Sequence, residues 1–210
     1  MKKAVEVIKL LEIMYPNAHC ELDYTTPFEL LIATILSAQC TDKRVNQVTK
    51  VLFENYNTPE AIISMGQEKL QEAIKSCGFY NNKSKNILGA CQKILHEFDG
   101  EVPNTIEDLM KLPGVGKKTA NVVGSNAYGI PAIAVDTHVF RVSKRIGIAQ
   151  GENPDQVEES LMKNLPKKYW ILGHHLLIFH GRYQCTARSP KCESCGISKY
   201  CTYYKNLGGK

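Results

Sequence analysis

The chain has 210 residues, of which 43% are apolar and 22% charged, with eight cysteines and a net charge of +5. That length allows one or two domains with real cores, and no apolar run reaches the ~20 residues of a membrane span. The charge is uneven: residues 163–210 hold nine Lys/Arg and one acidic residue, against seventeen and twenty in residues 1–162. A basic end on a nearly neutral body points to a polyanion, usually nucleic acid, although a solvated basic tail has the same composition.

The opening MKKAVEVIKLLEIMY has the lysines and apolar residues of a signal peptide. Glu6, Lys9 and Glu12 interrupt it at amphipathic spacing, so a helix of an intracellular protein is expected. Thr26-Pro27-Phe28-Glu29 joins a capping box to Pro at the first helical position and starts the apolar helix LLIATILSAQ. Thr41 or Asp42 caps the next helix, where Val45, Val48, Val51 and Leu52 are expected to share one face. Thr58-Pro59 opens a short helix through Ile62 and Ile63. Another runs from near Gln67 to Cys77 and stops at Gly78. Ile87, Cys91, Ile94, Leu95 and Phe98 mark one more, ending at Asp99-Gly100.

The stretch LPGVGKKTANVVGSNAYGIPAIAVD, Leu112 to Asp136, reads as a helix–hairpin–helix followed by a link. A short helix enters from about Thr105, capped with Asp108 in the Glu position of a capping box. A helix from Lys117 to about Ala127 leaves, closed by Gly129 and Pro131. Gly114 and Gly116 let backbone approach a ligand. The helix start adds unpaired N–H groups and partial positive charge, and Lys117 and Lys118 add full charge, which together make a phosphate site. The glycine spacing fits neither the P-loop nor G-x-G-x-x-G, whose third glycine position holds Thr119. A plain surface αα-turn uses the same glycines.

Asp136 stands where an N-cap belongs, before a helix through Arg145 that Gly147 stops. Asn153-Pro154 starts another, and residues from about Tyr169 to His180 read as a buried helix ended by Gly181. Few segments resemble strands, so an all-α protein with short connections is expected.

Cys20, Cys40, Cys77 and Cys91 are scattered and look like small core residues. Cys185, Cys192, Cys195 and Cys201 crowd into seventeen residues as C-x6-C-x2-C-x5-C, a metal-site pattern. Spacing alone leaves zinc and a four-iron cluster open, because a zinc ribbon usually shows two C-x2-C pairs and only one is present.

LPGVGKKTA, AVDTH and the four-cysteine tail, in this order and at these distances, resemble the endonuclease III group of helix–hairpin–helix DNA glycosylases. The likeness extends from Leu30 to Cys201. It implies a two-lobed all-α fold: a helical barrel over residues 22–131, and a discontinuous lobe of 1–21 and 132–210 carrying a [4Fe–4S] cluster on the four cysteines, with a DNA cleft between. It implies a monomeric, cytoplasmic repair enzyme, nucleoid-associated if bacterial, with no membrane partner. Such an enzyme acts on double-stranded DNA containing a damaged base or abasic site, removes damaged pyrimidines and cleaves the strand by β-elimination.

By the same resemblance Lys118 matches the nucleophile and Asp136 the catalytic carboxylate. Lys117 and a desolvating cleft wall are expected to lower the Lys118 pKa. Leu112, Gly114, Val115, Gly116, Lys117 and Thr119 form the DNA-holding hairpin. Gln39 aligns with the residue that fills the gap left by the extruded nucleotide, and Phe79 with the wedge that props the stack, where relatives often carry an aliphatic residue. His138 lines the pocket or serves as a structural hydrogen-bonding residue. The alternatives are a monofunctional adenine-mispair glycosylase, a non-catalytic iron–sulfur DNA-binding protein and a zinc adaptor.

Overall fold

The computed structural model describes residues 2–209, and every α-helix or 3-10 turn among them is joined by short connections without a strand. In chain order the helices are α1 (Lys2–Met14), α2 (Pro27–Ser37), α3 (Asp42–Leu52), α4 (Pro59–Met65), α5 (Gln67–Ile74), α6 (Tyr80–Glu97), α7 (Ile106–Leu109), α8 (Lys117–Tyr128), α9 (Thr137–Ile146), α10 (Pro154–Asn164), α11 (Trp170–Tyr183) and α12 (Thr202–Asn206). Single 3-10 turns lie at Lys75–Cys77, Lys167–Tyr169 and Ser198–Tyr200. None of these helices is long and apolar enough to cross a membrane. The chain divides into two compact units, Cys20–Ile130 and Met1–His19 with Pro131–Lys210.

The unit Cys20–Ile130 is assembled around α2, whose residues Phe28 to Leu36 are all buried and which packs on α8, α3 and α6. Thr26 Oγ1 accepts from the Glu29 N–H at 3.1 Å, as a capping residue should. Glu29 reaches back one residue further than a standard box: its Oε2 accepts from the N–H and hydroxyl of Thr25, at 2.6 and 2.7 Å. These bonds explain how a carboxylate only 5% exposed is tolerated. Thr41, Thr58 and Thr105 cap α3, α4 and α7 in the same way. On α3 the buried face is Val45, Thr49 and Leu52, with Val48 beside it. Val51, expected on that face, is exposed, because six residues after Val45 carries a side chain about 240° around the helix.

In the other unit, α11 lies between α9 and α1. Gly181, expected from the sequence to stop this helix, lies inside it. Its role is close packing, since a Cβ at 181 would sit 2.9 Å from His138 Cβ. The same helix buries His175, whose pKa burial pushes down to about 4, with the nearby His19 adding repulsion. Between pH 6.5 and 4 the unfolded chain therefore binds a proton that the folded one refuses, so stability is lost as pH falls through that window and is intact above it. At full development the loss is on the order of 3 kcal/mol. We expect His175→Asn to be less stable than the parent at neutral pH. The difference in Tm should narrow between pH 6.5 and 4, and parallel melting profiles would contradict the assignment.

Candidate functional site

Within the unit Cys20–Ile130, α7 and α8 are joined by the Leu112–Gly116 hairpin. Leu112 and Val115 point into the core, 2% and 6% exposed, so the DNA contact expected of them is restricted to backbone. Their N–H groups are already used, donating to Leu109 O and Leu112 O. Gly114 and Gly116 are exposed, and neither N–H donates to any described residue. No side chain caps α8, so its N-terminal partial charge is open to solvent. Lys117 and Lys118 are exposed at that end, with Thr119 half-buried behind them. Lys118 is exposed, so the burial expected around it is not found.

The two glycines have different causes. Gly114 has φ +78, and a Cβ there would lie 2.8 Å from Asn86 Cβ, so the fold requires glycine. Gly116 has φ −86 and open space where its Cβ would be, so the free protein does not require it. Its absence of a side chain matters only to something that approaches from outside. Gly116→Ala should therefore lower Tm by no more than ~4 °C, the worth of an N-cap change. It should weaken binding to an abasic duplex by about tenfold or more. Gly114→Ala should instead lose several degrees of Tm. Thermal melts with fluorescence anisotropy separate the two, and unchanged affinity in Gly116→Ala would exclude backbone contact at this position.

Gln39 and Phe79 are both exposed, Phe79 at 62%. Together with Asp99 they are the described non-glycine residues with positive φ, at 54° and 49°. Gln39 follows the end of α2, and Phe79 is the N-cap of α6.

In the other unit, Asp136 caps α9: its Oδ1 accepts from the Val139 N–H at 2.7 Å. Its second oxygen accepts from no described residue. The structural reading of this carboxylate is thus real, and it occupies only half of the group. His138 Nδ1 lies 3.2 Å from Arg141 Nη2. A guanidinium only donates, so Nδ1 accepts and the ring's proton is on Nε2. His138 is half-buried against Gly181 and has a structural bond of its own.

Cys185, Cys192, Cys195 and Cys201 line one pocket with Ile146, His180, Ile197, Tyr203 and Tyr204. Among the described residues no three His, Cys, Asp or Glu side chains are arranged to hold a single ion. Four soft sulfur donors spread around an apolar chamber suit a polynuclear iron–sulfur core better than one tetrahedral zinc. The loop is held from α9. Arg145 donates to Thr186 O and Ala187 O, both at 2.8 Å, and its Nη1 lies 3.6 Å from Cys185 Sγ. Arg141 Nη2 donates to Gly181 O at 2.9 Å and to Cys185 O at 3.1 Å. His180, held by Tyr15 Oη at 3.2 Å, presents Nε2 3.7 Å from Cys195 Sγ. Cationic and N–H donors beside thiolates are the outer groups that such a centre needs. Arg141 and Arg145 were not singled out by sequence reasoning. Their signal was two arginines four apart on one helix face, ahead of a cysteine cluster.

Comparison with known proteins agrees with these features. Residues 32–167 match the HhH-GPD superfamily of base excision DNA repair proteins. Residues 185–201 match the iron–sulfur binding domain of endonuclease III, and the cofactor of this protein is a [4Fe–4S] cluster. Endonuclease III of Bacillus subtilis (strain 168) is 53% identical over 189 residues, covering 90% of this chain and 86% of that protein. Endonuclease III of Rickettsia conorii is 50% identical over 204 residues, covering 96% and 97%. The structure of a trapped endonuclease III–DNA covalent intermediate, an estranged-adenine complex, superimposes with a TM-score of 0.93 at 50% identity, covering 99% of both chains.

Proposed function

This chain belongs to the HhH-GPD superfamily of base excision DNA repair proteins, as a member of its endonuclease III family, and on that premise we propose that Lys118 is the attacking amine. The activity is that of a bifunctional DNA glycosylase and abasic-site lyase acting on damaged pyrimidines. The observation that carries the residue assignment is a lysine in the first turn of an uncapped helix, behind two glycines whose N–H groups are uncommitted.

A base inside a duplex is out of reach, so its nucleotide must swing out at a cost of a few kcal/mol. Backbone N–H groups of Gly114 and Gly116, with Lys117, hold the lesion-strand phosphate. Gln39 fills the vacated place and Phe79 wedges the neighbouring step. The neutral Lys118 amine then bonds to the sugar's anomeric carbon as the bond to the base breaks, and the base leaves with the electron pair and takes up a proton. The nitrogen gives up one proton, and its lone pair then opens the sugar ring, whose oxygen takes up a proton, to leave a protonated Schiff base. Removal of a proton from the adjacent sugar carbon then expels the 3′ phosphate, and water releases Lys118. Asp136, through the oxygen not used in its cap, steadies positive charge on the sugar and moves protons. His138 borders the pocket from α9. The cluster, bound on Cys185, Cys192, Cys195 and Cys201, supplies iron–thiolate cross-links to their loop. The enzyme works as a monomer on damaged duplex, in the cytoplasm beside the nucleoid.

The test is a single-turnover incubation with a duplex carrying one oxidised pyrimidine. A broken strand without added alkali is expected. An intact strand bearing an abasic site would instead mark a water-activating, monofunctional enzyme.

A further inference from the structure

Gln39 and Phe79 adopt a backbone conformation that side chains disfavour. For an aromatic residue a φ of 49° is a genuine outlier. Such residues persist only where their surroundings leave no alternative, and here both surroundings converge on one side chain. Lys83 is 5% exposed and has no acidic partner among the described residues. Its Nζ donates to Leu36 O at 2.8 Å and to Cys77 O at 2.9 Å.

Those two carbonyls are close in sequence to the two strained residues. Leu36 lies three residues before Gln39, on the last turn of α2, and Cys77 two residues before Phe79, at the end of its 3-10 turn. The anchoring continues on the far side of each. Cys40 N donates to Ser37 O at 3.0 Å, and Lys83's own N–H donates to Phe79 O at 3.0 Å. Gln39 is therefore bracketed by Leu36 and Cys40, and Phe79 by Cys77 and Lys83. Carbonyls at helix ends carry partial negative charge, which suits an ammonium. Burial pushes the Lys83 pKa down, and the neighbouring Cys40 and Cys77 sulfurs oppose that shift.

We propose that Lys83 is a positioning residue for lesion capture, whose buried ammonium sets the spacing of the Gln39 and Phe79 tips. The inference rests on the reading of those two residues as the ones that enter the duplex. A plain core residue would not need a charge here, and an aliphatic chain of the same length would fill the space without desolvating an ion. What only the ammonium supplies is simultaneous hydrogen bonding to the carbonyls of Leu36 and Cys77, at the ends of two separate elements.

The test uses Lys83→Met, which keeps the stem and removes the donors, and Lys83→Gln, which keeps an amide donor. Each is assayed for single-turnover base release from two duplexes. In one the lesion is fully paired, and in the other it lies opposite an abasic site and is already poorly stacked. Lys83→Met should lose about tenfold or more on the paired lesion and much less on the unstacked one, with Lys83→Gln between. A structural role alone would lower both rates alike, and that result overturns the proposal. The cycle with Gln39→Ala and Phe79→Ala is the second readout: in the background lacking both tips, Lys83→Met should add little further loss. Losses that multiply independently also overturn it. If the tip variants themselves release the paired lesion normally, both this inference and the intercalation reading fall. If they are impaired and both Lys83 variants are not, only the Lys83 inference falls. Should Lys83→Met not fold, Lys83→Gln decides by the same comparison.

Discussion

Lys118→Ala is expected to give no borohydride-trapped complex with abasic DNA and to release damaged pyrimidine at least about 10³-fold more slowly than the parent, the scale seen when a covalent nucleophile is removed. Because Lys118 is exposed on the first turn of α8, truncating it leaves no cavity, and Tm should change little. Affinity for the abasic duplex should fall only modestly, since the Gly114 and Gly116 N–H groups and Lys117 remain. The informative pattern is thus lost chemistry with retained binding. A complex that still traps in the variant would assign the amine elsewhere, with Lys117 the nearest alternative.

Replacing Cys195, a cluster ligand in the proposed function, should have the second large effect, on stability. Cys195→Ser is chosen because Cys195 lies at the centre of the loop, bonded through Cys195 N to Cys192 O and through its own carbonyl to Ser198 N. The parent should bind about four irons per chain and absorb in the visible, and the variant should be iron-poor and pale. Metal binding to a site that the unfolded chain lacks is folding free energy, so Tm should drop by about 10 °C or more. Equal iron content and equal Tm would exclude Cys195 as a ligand.

The sequence made helix starts readable because each is local chemistry. Thr26, Thr58 and Asn153 stand directly before a proline at the first helical position, and their side chains do accept the expected N–H. The hairpin was readable for the same reason, since Gly114 needs a positive φ that few residues supply. What was hidden depends on partners distant in sequence. Val51 is apolar yet exposed, and only its angle around α3 reveals that. Gly181 looked like a terminator, and its meaning comes from His138 more than forty residues earlier. Lys83, in a segment with Lys85 beside it, reads as part of a solvated face. Its burial is decided by carbonyls contributed from two other elements. The positive φ of Gln39 and Phe79 has no compositional signal, because neither residue is chosen for that conformation. For Asp136 the cap is local chemistry, and only Oδ1 takes part in it.

Helix α9 is ten residues long, a stiff rod of about 15 Å. Its leading end carries the Asp136 carboxylate, and its middle and last turn carry the two guanidinium groups that grip the cysteine loop. A rod transmits tilt with little loss. Loosening of the cysteine loop would therefore be felt as tilt at the Asp136 end of the same rod.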